Sequence, residues 1–208
     1  MAVRSMLRPL AMAVVLGALV AASAPVAAQS PAPMRSFQPI DLSGARSVCE
    51  EKTGQVQVRE AMFGTNGDVS TWLDLGRSIE LCRFQAEDGS RIYVDTGTLA
   101  MAGPTLASVA YLSQVPMPEY DPAAGNPATA YCAALAGSSA YGNGAAGGGW
   151  VALSDADDPV VAMCVFPDGS MIDEWALAYH SDGTIRGADL ASQFVYQPGD
   201  QLPDIFPR

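Results

Sequence analysis

Cys164-Val165-Phe166-Pro167-Asp168-Gly169-Ser170-Met171-Ile172-Asp173-Glu174-Trp175-Ala176-Leu177 is the stretch whose reading decides the fold. An apolar run holding a cysteine meets an Asp-Gly pair, and a second apolar run ends in an acidic pair beside Trp175. Asp-Gly supplies two consecutive residues that tolerate positive φ, so the pattern predicts a β-hairpin with a two-residue type I′ turn. Pro167 limits how far the first strand pairs. Asp173 and Glu174 are adjacent, so in a strand they point to opposite faces and do not form a catalytic carboxylate pair. Upstream, Cys82-Arg83-Phe84 and Asp88-Gly89-Ser90-Arg91-Ile92 repeat the ingredients with two extra residues in the turn.

The repetition extends outward from the hairpin. Asn126-Pro127-Ala128-Thr129-Ala130-Tyr131-Cys132-Ala133-Ala134-Leu135-Ala136-Gly137 has Asn as N-cap, Pro at the first helical position and Gly past the end, and so predicts a helix. Residues 41–54 give a shorter one, with a cap candidate at Asp41 or Ser43, a stop at Gly54, and Leu42, Ala45 and Cys49 on one face. Cys49 to Cys132 and Gly54 to Gly137 are 83 residues apart, Cys82 to Cys164 is 82, and Asp88-Gly89-Ser90 with Ile92 to Asp168-Gly169-Ser170 with Ile172 is 80. Candidate strands at 55–59 and 138–141 and Trp segments at Trp72 and Trp150 complete each unit. The fold class is therefore α+β, two tandem copies of a short helix plus a three- or four-stranded antiparallel meander. Four cysteines allow three pairings. A unit duplicated as a working whole carries its bridge inside itself, which favours Cys49 with Cys82 and Cys132 with Cys164 over bridges swapped between copies.

The first 28 residues combine Arg4 and Arg8, an apolar segment too short to span a bilayer, and small residues before Gln29. They read as a signal peptide cleaved after Ala28, which points to a periplasmic or secreted protein in a disulfide-permissive compartment, with no stable membrane insertion afterwards. A disordered leader at 29–39, a first repeat at 40–113, a Pro-rich connector at 114–125, a second repeat at 126–196 and an extended tail at 197–208 follow. Residues 98–113 close the first unit as a helix or strand. Cleavage would leave 9 basic residues against 22 acidic, a formal charge of −13. Nucleic acid and anionic lipid are excluded as partners on that ground.

Asn126-Pro127-Ala128, Tyr131-Cys132, Gly137, Cys164 to Ser170 and Asp173-Glu174-Trp175-Ala176 together resemble the exported bacterial family known as domain of unknown function 333. The resemblance is specific over 126–177, and the first repeat shares only its Cys, Phe and Asp-Gly-Ser. Family members commonly carry a further Cys before the acidic pair and another after the Trp segment. This chain has Ile172 at the first place, Ile92 at its counterpart, and no Cys after Cys164. The resemblance implies an envelope or secreted location and no established chemistry. Some members bear a hemolysin label.

No cofactor or metal is expected. Gly142-Asn143-Gly144-Ala145-Ala146-Gly147 matches G-x-G-x-x-G without the strand, helix and βαβ unit that a dinucleotide site requires. Asp155, Asp157 and Asp158 could offer oxygen ligands to a cation, but their loop lacks the Gly and terminal Glu of an EF-hand and reads as a solvated turn. His180 is the only histidine. A hydrolase built on it and Ser170 lacks a nucleophile-elbow motif, and His180-Ser181-Asp182-Gly183 reads as a turn. Glu174 is expected at a rim or beside Arg186. No catalytic residue set emerges, which points to a noncatalytic binding or inhibitory module for an envelope or extracellular protein. Its candidate contact residues are Trp150, Asp155, Asp157, Asp158, Glu174 and Trp175, although Trp150, Trp175, Tyr179 and Tyr196 read first as core or half-core aromatics and as surface anchors only in the alternative. The alternatives are a secreted hydrolase using His180 and a membrane-active protein of the hemolysin type.

Overall fold

A computed structural model describes residues 44–206 apart from 65, 122, 124, 141–146 and 200, and without the side chain of Ala140. The expected signal peptide, the leader and most of the Gly142-to-Gly147 loop lie outside the described residues. The elements run α1 (Ala45–Glu51), β1 (Gln55–Phe63), β2 (Leu73–Gln85), β3 (Arg91–Asp95), α2 (Thr96–Ala100), α3 (Leu106–Ser113), α4 (Pro127–Ala134), β4 (Ser138–Ala140), β5 (Gly149–Val151), β6 (Val160–Val161), β7 (Met163–Val165), β8 (Met171–Asp173) and α5 (Glu174–His180). Asn126 caps α4 through its side chain, which accepts the Ala128 N–H, and Pro127 opens the helix.

Side-chain alternation along the strands builds two cores. Cys82, Phe84, Ile92, Val94, Cys164 and Ile172 face the helices and pack with Leu99, Tyr111, Tyr131 and Leu177. Their neighbours Leu81, Tyr93 and Met163 face the other way and pack with Ala61, Trp150 and Val161. Both disulfides lie on the helical side, Cys49–Cys82 tying α1 to β2 and Cys132–Cys164 tying α4 to β7. Closing loops of 33 and 32 residues contributes about 3–4 kcal/mol apiece by chain entropy.

The strands do not form two separate meanders. They join in one mixed-order sheet, β4-β7-β8-β3-β2-β1-β5-β6, with antiparallel pairing throughout. The two halves meet where Val94 on β3 pairs Ile172 on β8. β5 does not return to β4 but pairs β1, placing Trp150 opposite Ala61. β6 ends this order, yet only Ala162 separates it from β7, second from the other end. Two backbone steps span roughly 7 Å, so the sheet curls until its ends meet along 160–165. Trp150, Tyr93 and Met163 fill the inside of that curl.

Three local expectations change. The Asp-Gly turns are not type I′. Gly169 N–H donates to Phe166 O and Phe166 N–H to Ser170 O, which leaves a three-residue loop in which Gly169 alone has positive φ, 83°. Pro167, with its φ fixed near −65°, suits the first corner of a type I turn, and Gly169 forms the bulge after it. Ala86, Gly89 and Ser90 make the same bonds, so the two extra residues lie in the arms of the first hairpin and not in its turn. Cys82 consequently pairs Val94 as Cys164 pairs Ile172, which makes Val94 the counterpart of Ile172 in place of Ile92. Trp72 and Trp150 are not counterparts either: Trp72 leads into β2, while Trp150 sits on a strand added beside β1.

The third change concerns the acidic pair. β8 stops at Asp173, whose carboxylate accepts the Ala176 N–H and caps α5. Asp95 caps α2 in the same way through Thr98. A short apolar run ending in Asp, followed by residues with good helix propensity, is a strand-to-helix junction, and the N-cap bond overrides a continued strand.

Candidate functional site

Three arginines on consecutive strands, Arg59 on β1, Arg83 on β2 and Arg91 on β3, hold the loop between β5 and β6. Arg59 is fully buried. Its guanidinium donates to Asp155 Oδ2 at 3.2 Å, to Gln57 Oε1 at 2.8 Å and to Asp158 O at 2.9 Å, and lies 4.8 Å from the centre of the Tyr93 ring. Arg83 reaches the same Asp155 oxygen at 3.4 Å. Burial raises the Asp155 carboxyl, but the Gln57 amide and the two guanidinium charges outweigh it and hold the group below its ordinary value. Asp155 is therefore a half-buried structural anion paired with two arginines and not a solvated turn residue. Asp157 is exposed and Asp158 half-exposed, both beside Arg91. Among the described residues no group of acidic, His or Cys side chains is arranged to hold a metal ion.

The opposite mouth of this arrangement is a cleft of about 380 Å³. Its walls include Arg91, Asp158, Asp173, Trp175, Tyr179 and Arg186. Trp175 and Tyr179 stand one helical turn apart on the outer face of α5, ring centres 6.0 Å apart, and are 42% and 40% exposed. The Arg186 guanidinium lies over the Tyr179 ring at 4.8 Å. A second hollow, about 440 Å³ and flanked by Pro116, Met117 and Pro127, borders the same two rings. α5 thus presents an aromatic ridge with a polar cleft and a more apolar hollow beside it.

Asp173 lies at the floor of the cleft, where burial pushes its carboxyl up to about 7, opposed by the Ala176 amide. A carboxyl with a folded pKa above its unfolded value of about 3.9 binds its proton more tightly when folded, so it lowers stability as pH rises from about 4 towards 7. Asp173→Asn keeps an N-cap acceptor and abolishes this slope. Urea unfolding is expected to show the variant gaining on the parent at pH 8, with most of that gain lost by pH 5 and the rest near pH 4. An equal difference at both pH values would assign Asp173 no titration in that window.

Of the other expected contact residues, Trp150 is buried at 1% exposure inside the curled sheet and cannot meet a partner. Glu174 is also buried, accepting a bond from Ser139 Oγ at 2.8 Å, so it is neither a rim residue nor the partner of Arg186. Ser170 Oγ donates to Asp168 and accepts the Ala107 N–H. His180 ends α5, stacked on Tyr111 with ring centres 3.7 Å apart and its Nε2 beside the Gln114 side chain. Burial depresses its pKa. The bonds of Ser170 and His180 do not join them. Tyr179 and Arg91 were not among the contact residues expected from the sequence, and Arg186 was expected only beside Glu174. The i, i+4 aromatic spacing of Trp175 and Tyr179 was the available signal, hidden while that segment read as a strand.

Residues 123–181 match the family model described as Domain of unknown function (DUF333). The matched segment runs from just before α4 to just past α5 and contributes Asp158, Asp173, Trp175 and Tyr179 to the cleft. Gly89, Arg91 and Arg186 come from outside it. No curated protein and no solved structure matches the chain. Two disulfides fit an oxidising compartment, and no helix among the described residues is long and apolar enough to cross a membrane.

Proposed function

We propose that the protein is an exported, noncatalytic binding or inhibitory module that contacts a protein partner through the α5 ridge. The observation that carries this reading is the exposed pair Trp175 and Tyr179 between two hollows. Exposed aromatics beside concave surface are the usual anchors of protein interfaces, and Arg186 adds a third residue type enriched there. The export step rests on the signal-peptide character of residues 1–28 and agrees with the oxidised cysteines.

The two halves are best understood as copies of one unit. Gly54 and Gly137 support this: a Cβ at either would stand 2.3 Å and 2.5 Å from the second cysteine's Sγ of its own disulfide. Each glycine N–H also bonds the carbonyl of the helical cysteine at 2.9 Å.

Comparative affinity capture tests the function. Oxidised residues 29–208 serve as bait against envelope and culture-fluid extracts, in parent form, as Trp175→Ala/Tyr179→Ala, and as Leu73→Ala, an exposed control. Loss of two anchor rings is expected to weaken a specific partner about 30-fold, as a hot-spot loss of about 2 kcal/mol implies, while the control binds normally. Unchanged affinity of every retained protein for the double variant would move the contact surface away from α5.

A further inference from the structure

Two guanidinium groups converge on the α5 cleft of a chain whose net charge is −11. The Arg186 guanidinium carbon lies 4.8 Å from the centre of the Tyr179 ring, and the side chain makes no ion pair among the described residues. Arg91 is loosely held. Its Nη2 and Nη1 lie 3.5 Å and 3.6 Å from Asp157 and Asp158, beyond the roughly 2.7–2.9 Å of charge-assisted bonds. Its Nε is buried without a hydrogen-bond partner.

The carboxylates nearby do not cancel these donors. Asp88 accepts the Ser90 N–H at 2.8 Å, and Asp173 is engaged with the Ala176 amide and shifted towards its neutral form by burial. Asp157 is 76% exposed, so water screens it. Asp158 is the one competitor at the cleft wall, and its 3.6 Å separation from Arg91 leaves room for a better-placed anion.

We infer that the cleft binds a carboxylate-bearing segment of the partner protein, its carboxylate held by Arg91 and Arg186 and its flanking apolar side chain laid on Trp175. This rests on the binding-module reading and specifies the chemistry of the partner. Planar two-donor forks match carboxylate geometry, and a cleft of about 380 Å³ falls within the roughly 300–1,000 Å³ typical of small-ligand sites.

Four probes test it by NMR on the oxidised protein: N-acetylphenylalanine, N-acetylphenylalanine amide, acetyl-Phe-Glu amide and acetyl-Phe-Gln amide. The first offers a terminal carboxylate, the third a side-chain carboxylate, and the others are their neutral controls. Saturable shifts of the Arg91 and Arg186 Nε–H signals are expected with one or both acids and not with the neutral probes. Which acid binds tells a chain terminus from an acidic side chain. Arg186→Gln is expected to weaken the acid about tenfold, with Arg186→Lys in between because it keeps the charge and loses the fork. Equal response of Trp175 to acids and neutral probes would overturn the anion inference and leave the aromatic ridge as a contact surface. No response to any probe would also overturn it, leaving the ridge to be judged by the capture experiment alone.

Discussion

Arg59→Met is expected to cost about 3–5 kcal/mol of folding free energy, the range for breaking a buried ion pair by removing one partner. The side chain is fully buried and serves Asp155, Gln57 and the carbonyls of Asp158 and Trp150 at once. Methionine fills much of the space but leaves the Asp155 carboxylate with Arg83, Gln57 and the Asp158 N–H alone, and removes a donor from the Asp158 carbonyl. Because β5 reaches β1 at one end of this loop and β6 leads into β7 at the other, the loss should loosen the closure of the sheet. Urea unfolding measures the cost, and Arg59→Met combined with Asp155→Leu is expected to recover much of it, since both charges are then gone. A cost below about 1 kcal/mol would show that Arg83 alone can hold the loop.

Gly137→Ala is expected to cost about as much. An added Cβ meets Cys164 Sγ at 2.5 Å, Cys132 Sγ at 2.8 Å and Cys132 O at 3.1 Å, with both sulfurs pinned by their bond and packed in the core. If the bridge stays, overpacking costs about 1–3 kcal/mol; if it is expelled, its contribution of about 3–4 kcal/mol is lost instead. Free-thiol titration after refolding should show incomplete oxidation of this pair. In a Cys132→Ala/Cys164→Ala background the clash disappears, so the same Gly137→Ala should cost little. Equal costs in both backgrounds would place the damage in the backbone at Gly137 instead of the disulfide.

What the sequence made legible was local chemistry. Asn126-Pro127 wrote its own helix start, and Gly54 and Gly137 marked helix ends. The cysteine spacing matched the bridges found, because helix-to-sheet staples at a separation of 33 and 32 residues belong to each half alone. Asp173 misled because a residue that ends an apolar alternation can extend a strand or cap a helix, and only the backbone turn after it distinguishes the two. Positive φ was expected at both Asp168 and Gly169 and occurs at Gly169 alone, because Pro167 favours a type I corner over the type I′ turn that Asp-Gly suggested.

The site was hidden for a different reason. Arg59, Arg83 and Arg91 are spaced by the register of three strands, and nothing in their intervals of 24 and 8 residues points to one cluster. Asp155 becomes the partner of Arg59 and Arg83, and Asp157 and Asp158 of Arg91, only because β5 leaves β4 and crosses to β1, a long-range choice fixed by Trp150 packing over Ala61 and Tyr93. Without that crossing, Trp150 reads as a surface aromatic and the Asp155-to-Asp158 loop as a solvated turn. The cleft has the same origin, since Arg91 and Asp173 meet only where β3 and β8 join the two halves.

The most direct measurement is site-specific photocrosslinking in the producing cells' envelope. A benzophenone amino acid replaces Tyr179 on the α5 ridge in one variant and Leu73, exposed at the end of the β1–β2 hairpin, in another. The expected result is a discrete crosslinked protein at position 179 that Trp175→Ala diminishes, with none at position 73. Crosslinking of the same partner at 73 and not at 179 would contradict α5 as the contact surface.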